Sequence, residues 1–181
     1  MSRVEIKIGG FGGQGVIMAG MIIGKAASIY DGKDATLTQS FGPEARGGSC
    51  SGQVVVNTDR NLYPMVTNPD ILMAMSQPAF LKFLPEVRPE ALILYESSLV
   101  KPGELPGSHK VYGIPATKFA EELGRKMVLN IVMVGFFTAL SDVCSEQAMR
   151  KAVESSVPRG TERLNLSAFE RGFTYGRQLV N

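Results

Sequence analysis

The chain has 181 residues, 44% hydrophobic and 20% charged, which is ordinary globular material and excludes a disordered tail. That length suits one α/β domain over residues 1–181, with a core of its own, and is short for two. A formal net charge of +2 without a Lys/Arg cluster gives no footprint for nucleic acid, and the longest apolar run, residues 131–140, is too short to span a bilayer.

In chain order, Val4-Glu5-Ile6-Lys7-Ile8 alternates apolar and polar residues and reads as a first strand. Because the chain enters a strand at once, no signal peptide is visible and a cytoplasmic protein is expected. The strand runs into Gly9-Gly10-Phe11-Gly12-Gly13-Gln14-Gly15-Val16, and residues 14–28 then read as a helix. Strand, glycine-rich turn and helix place backbone N–H groups and a helix N-terminus around a phosphate. Gly10, Gly12 and Gly15 satisfy the G-x-G-x-x-G spacing of dinucleotide binders, in which glycine permits φ > 0 and removes the Cβ that would block a pyrophosphate. The competing reading is a tight turn without a ligand. A dinucleotide binder also needs an acid about 20 residues on, at the end of the second strand. Asp31 and Asp34 precede that strand instead, and no Gly-Lys-Ser/Thr closes a P-loop. A phosphate-bearing ligand stays open; NAD is disfavoured.

The helix over residues 14–28 is apolar nearly all round, with Gly20 and Gly24 spaced for close approach to a neighbouring layer. Strands at residues 35–39 and 52–57 flank a glycine-rich loop holding Pro43, Glu44, Arg46, Gly47, Gly48 and Cys50. Arg46, among small residues, can reach a phosphate or carboxylate with two N–H groups; the alternative is a solvated hairpin loop with a Glu44–Arg46 surface pair. If both glycine-rich loops follow parallel strands, they meet at the carboxyl edge of the sheet, where ligands bind. Further strands are expected at residues 71–75, 91–95 and 110–113, and helices at 78–84, 116–124, 128–142, 145–156 and 166–180. Thr117 is the expected N-cap of the 116–124 helix. The pattern predicts a single Rossmann-like, doubly wound α/β domain, with a mostly parallel sheet flanked by helices.

Two cysteines and one histidine restrict the chemistry. Cys50 and Cys144 form no C-x-x-C pair, so this chain alone holds neither an iron–sulfur cluster nor a standard zinc site. Cys144 reads as a buried small hydrophobe, Cys50 as a thiol of the glycine-rich loop, where exposure is open to it and nothing activates it, and His109 as a residue of a solvated turn. No catalytic residue stands out. The composition is that of a binder rather than the owner of a reaction.

The glycine turn, followed by Ser40-Phe41-Gly42-Pro43-Glu44-Ala45-Arg46-Gly47-Gly48, resembles the gamma subunit of 2-oxoacid:ferredoxin oxidoreductases. The similarity extends through Asn68-Pro69-Asp70-Ile71-Leu72, Ile114-Pro115-Ala116-Thr117 and Asn130-Ile131-Val132-Met133-Val134-Gly135, nearly the whole chain. The resemblance implies one subunit of a thiamine-diphosphate enzyme that oxidatively decarboxylates a 2-oxoacid to its acyl-CoA and passes electrons to ferredoxin. It places thiamine diphosphate, magnesium and the iron–sulfur clusters on alpha, beta and ferredoxin-like delta partners. For this chain it implies contact with coenzyme A through Gly10, Gly12, Gly13, Gln14 and Gly15, and through Arg46, Gly47 and Gly48. The motif is closer to the 2-oxoglutarate and branched-chain members than to the pyruvate ones. Asn130 reads as a satisfied buried amide or cap, and the methionines as core and interface filler. Two other classes stay open: an independent dinucleotide-binding redox or regulatory domain, and a structural subunit that contacts no ligand.

Overall fold

The computed structural model describes residues 3–43, 47–59, 63–105 and 108–180. Glu44 and Arg46 lie outside the described residues.

Strand β1 (Arg3–Phe11) is followed by α1 (Val16–Lys25), a π-helical turn (Ala26–Tyr30), β2 (Asp34–Phe41), β3 (Ser49–Asn57), β4 (Ile71–Ala74) and α2 (Gln77–Phe83). After these come β5 (Leu92–Glu96), β6 (Lys110–Ile114), α3 (Ala116–Glu122), α4 (Leu129–Leu140), α5 (Glu146–Glu154) and α6 (Glu162–Val180). The six strands form one sheet in the order β2-β3-β1-β4-β5-β6. β1, β4, β5 and β6 are parallel, whereas β3 is antiparallel to both β1 and β2. The α/β architecture and mostly parallel sheet match the sequence expectation.

Of the two readings open for the second glycine-rich segment, the structure shows the hairpin: β2 and β3 on either side of it pair antiparallel, so it does not follow a parallel strand. Its strands are also longer than the pattern suggested, so Cys50 lies within β3 and is buried, not exposed. The hairpin still reaches the carboxyl end of β1, because β3 starts there: Phe11 is opposite Ser49 and Gly10 opposite Cys50.

On the inner face, Ile6, Ile8, Val54, Met73 and Leu94 pack in one core with α1 and α4. Helix α4 is apolar on every side because it is enclosed between this core and α6. The α4–α6 crossing is closer than side chains allow: a Cβ on Gly135 would lie 2.0 Å from the Phe169 carbonyl oxygen, and one on Gly172 1.9 Å from that of Val132. On the outer face, Phe80 and Phe83 of α2 cover Leu72 and Ile93 in a smaller core. Gly20 seats α1 on the sheet, with its absent Cβ 2.9 Å from Leu37 Cδ1. Gly24 has open space beside it and makes no such approach.

Caps and loops fix the helix ends. Ser76 Oγ accepts from the Ala79 N–H and Ser145 Oγ from the Ala148 N–H; such caps contribute about 1 kcal/mol each. Thr117 is not the cap of α3. That place belongs to Glu96 at the end of β5, fully buried, whose Oε1 accepts the Thr117 N–H at 3.1 Å. The Asn68-Pro69-Asp70 segment is structural: Glu5 Oε2 accepts the Thr67 and Asn68 N–H groups, and Asp70 accepts the Glu5 N–H while pairing with Arg88.

Cys144 is buried as expected, and burial pushes its thiol from an ordinary 9.0 up to about 12. Folding therefore holds this proton, and the unfolded chain releases it first as pH rises. The associated stability is present below about pH 9 and is lost as pH approaches the folded value of about 12. Urea unfolding at about pH 8 and about pH 11 is expected to show a smaller alkaline loss in Cys144→Ala than in the parent chain. Equal losses would remove this thiol from the pH dependence.

Candidate functional site: the paired glycine turns

At the end of β1 the chain reverses over Gln14. The Phe11 N–H donates to Gln14 Oε1 at 2.7 Å, and the Gln14 N–H donates back to the Phe11 carbonyl at 3.1 Å. Gln14 Nε2 donates to the Met75 carbonyl at 2.9 Å, tying the turn to the end of β4. The Gln14 amide thus shapes the turn.

The glycines have distinct reasons for being glycine. Gly10 leaves no room, since a Cβ would stand 2.6 Å from Gln14 Oε1 and 2.9 Å from Val16 Cγ2. Gly15, the residue preceding α1, has φ 74, and its Cβ would lie 2.4 Å from Asn130 Nδ2. Asn130 is buried in α4 and donates to the Gly15 carbonyl at 3.3 Å, so it is a satisfied buried amide that braces the turn. Gly13 differs. Its φ is 94, yet nothing stands within 4 Å of where its side chain would be. A side chain there would enter open space above the turn.

The two glycine segments touch. The Gly12 N–H donates to the Gly48 carbonyl at 2.8 Å, and a Cβ on Gly12 would lie 3.5 Å from the Gly47 nitrogen. Gly47 adopts φ 67, a left-handed conformation that favours glycine. Gly12, Gly13, Gln14, Gly15, Gly47 and Gly48 therefore share one surface, whereas Gly10 is buried in β1 beneath the turn; Arg46 lies outside the described residues. Among the described residues the N–H groups of Gly13 and Gly15 donate to nothing, and the first turn of α1 carries no acid. Free donors at a helix N-terminus attract an anion.

A cleft of about 290 Å³ opens beside this surface, on the other side of the sheet edge. Ser40, Ser49 and Ser51 line it from the hairpin, and Ser76, Lys82 and Phe83 from α2 and its cap. Phe11 and Phe41 are exposed at its rim. The sequence reading missed these residues; the Ser76-Gln77-Pro78 helix-start signal was available, but nothing local connects it to Ser51. Burial raises the Cys50 thiol above its usual range, which suits a neutral core group rather than a nucleophile. His109 is half-buried and precedes β6, at the opposite end of the sheet from the turn. Among the described residues no three His, Cys, Asp or Glu side chains cluster to hold a metal ion, and no helix is long and apolar enough to cross a membrane.

Residues 5–175 match the pyruvate ferredoxin/flavodoxin oxidoreductase family, and the chain belongs to that family. It is 43% identical to the 2-oxoglutarate synthase subunit KorC of Methanocaldococcus jannaschii, over 98% of this chain and 96% of that one. The gamma subunit of a keto/oxoacid ferredoxin oxidoreductase from Geobacter sulfurreducens superposes with a TM-score of 0.85 at 37% identity, over 98% of this chain and 99% of that one. The same fold recurs, at TM-score 0.89 and 22% identity, within 32% of a longer chain. That chain is a 2-oxoglutarate:ferredoxin oxidoreductase from Magnetococcus marinus with 2-oxoglutarate, coenzyme A and succinyl-CoA bound.

Proposed function

We propose that this chain is the gamma subunit of a 2-oxoacid:ferredoxin oxidoreductase acting on 2-oxoglutarate, and that its paired glycine turns hold a phosphate of coenzyme A. The observation that carries this reading is the junction of the two turns, where unspent N–H donors meet open space over Gly13 at the N-terminus of α1. A pyrophosphate fits there because backbone donors and the helix dipole act on it without any charged side chain. Arg46, which lies outside the described residues, is proposed from the sequence alone as a further partner of that anion. The choice of 2-oxoglutarate rests on the identity to KorC.

The chain supplies binding and assembly. Thiamine diphosphate, magnesium and the iron–sulfur clusters belong to alpha, beta and delta partners, with ferredoxin as the electron acceptor, in the cytoplasm. Two thiols, of which Cys144 is held protonated by burial, and one distant histidine offer no set of ligands or general bases at the turn. The purified chain alone is expected to give no 2-oxoglutarate-dependent reduction of a viologen dye, and activity is expected to appear on mixing with its alpha and beta partners. Turnover by the chain alone would sink this reading. An independent dinucleotide domain would instead purify without thiamine-enzyme partners and bind NAD.

A further inference from the structure

The cleft beside α2 contains polar groups that neither packing nor the glycine turn uses. Ser51 is only 5% exposed, lines the cleft, and its hydroxyl has no partner among the described residues. Ser76 is 2% exposed; its Oγ accepts from the Ala79 N–H, which leaves the hydroxyl proton free to donate. Lys82 stands at the rim over the Phe83 ring, 5.3 Å from its centroid, and has no carboxylate partner among the described residues. No described residue lining the cleft is acidic. Two buried hydroxyl donors and a free ammonium define a receptor for an anion with several terminal oxygens.

The placement of the cleft narrows the choice. Val54 faces the inner core with α1, so Ser51, three residues earlier, faces the outer side with α2. The free N–H groups of the turn and the hydroxyls of the cleft therefore flank the end of β1 from opposite faces. A ligand seated at both needs two anionic groups separated by a spacer. Coenzyme A has that form: a pyrophosphate and, across the ribose, a phosphate monoester. We propose that the Ser51–Ser76–Lys82 cleft binds the ribose 3′-phosphate of coenzyme A, an inference that rests on the coenzyme A reading above. Ser51, Ser76 and Lys82 then set the preference of the enzyme for coenzyme A over thiols lacking that phosphate.

The test uses the assembled enzyme with coenzyme A and with dephospho-coenzyme A, which lacks the 3′-phosphate. Lys82→Ala is expected to raise KM for coenzyme A on the order of tenfold, the worth of one charge-assisted hydrogen bond. KM for dephospho-coenzyme A should stay at its parent value. Ser51→Ala should move the two constants in the same pattern without lowering the melting temperature, because its hydroxyl makes no bond in the fold. An equal rise for both thiols, or no rise for either, overturns the assignment. Gly13→Val separates the two readings. If it raises KM for both thiols while Lys82→Ala does nothing, only the cleft assignment falls; if Gly13→Val also does nothing, both fall.

Discussion

One methyl group at Gly172 is expected to unfold the domain. Its Cβ would lie 1.9 Å from the Val132 carbonyl oxygen and 3.0 Å from the Phe136 nitrogen. Ordinary C–H···O contacts place the heavy atoms about 3.3–3.6 Å apart, so α4 and α6 must separate by more than about 1 Å. Both obstacles are backbone, and no rotamer change relieves them. Gly135 faces the reciprocal obstacle at the Phe169 carbonyl, which leaves the crossing no direction in which to slide. Since α4 is buried along its length, separating the helices opens the core. The cost is expected to exceed about 4 kcal/mol, much of the stability of a domain this size. Thermal melting of Gly172→Ala checks it, with Gly24→Ala as the control. Gly24 has open space and no positive φ, so alanine there should be neutral or stabilise by about 0.5–1 kcal/mol. A Gly172→Ala protein melting with its parent would contradict the crossing.

The second large effect is expected at Gly15. Alanine there meets two penalties: a left-handed backbone, costing about 1–2 kcal/mol, and a Cβ only 2.4 Å from Asn130 Nδ2. Together they should cost about 3 kcal/mol. The two components separate in a double-mutant cycle. With Asn130→Ala the Nδ2 and Cγ obstacles go and only the Cβ of residue 130, 2.9 Å away, remains, so Gly15→Ala should cost less than in the parent and approach the backbone part of about 1–2 kcal/mol. Urea unfolding of the four proteins measures this. A penalty equal in both backgrounds would mean that Asn130 does not brace the turn.

These contacts show why some of the site was legible in the sequence and some was not. The first strand, glycine turn and α1 were legible because one continuous segment carries the pattern. Helix α4 was legible for the same reason, its run of apolar residues having only one stable environment. The hairpin stayed one of two open readings because Val54-Val55-Val56 looks alike in a parallel and an antiparallel strand, and no Asn-Gly or Asp-Gly turn marks its corner. Glycine and serine between Ser49 and Gly52 concealed the alternation that buries Cys50. Glu96 was missed as the α3 cap because the bond to the Thr117 N–H joins distant parts of the chain, and local rules seek caps beside the helix. Ser51 comes from the hairpin and Ser76 and Lys82 from α2 and its cap, so only the sheet order brings these two segments to one cleft. Gly13 could be picked as glycine but not distinguished from Gly10 and Gly15, because what surrounds each Cβ position is a tertiary fact.

The most direct measurement is KM for coenzyme A in assembled enzyme carrying Gly13→Val, beside single-turnover decarboxylation of 2-oxoglutarate by the same protein. The valine side chain projects into the open space over the turn, where the phosphate is placed, and because φ 94 strains any side chain there, Gly13→Ala, which has a Cβ without the bulk, is the control. The expected result is a KM for coenzyme A raised on the order of tenfold or more, the loss of charge-assisted hydrogen bonds to an anion, with decarboxylation at the parent rate. An intact complex with unchanged KM would contradict the placement of coenzyme A at the paired turns.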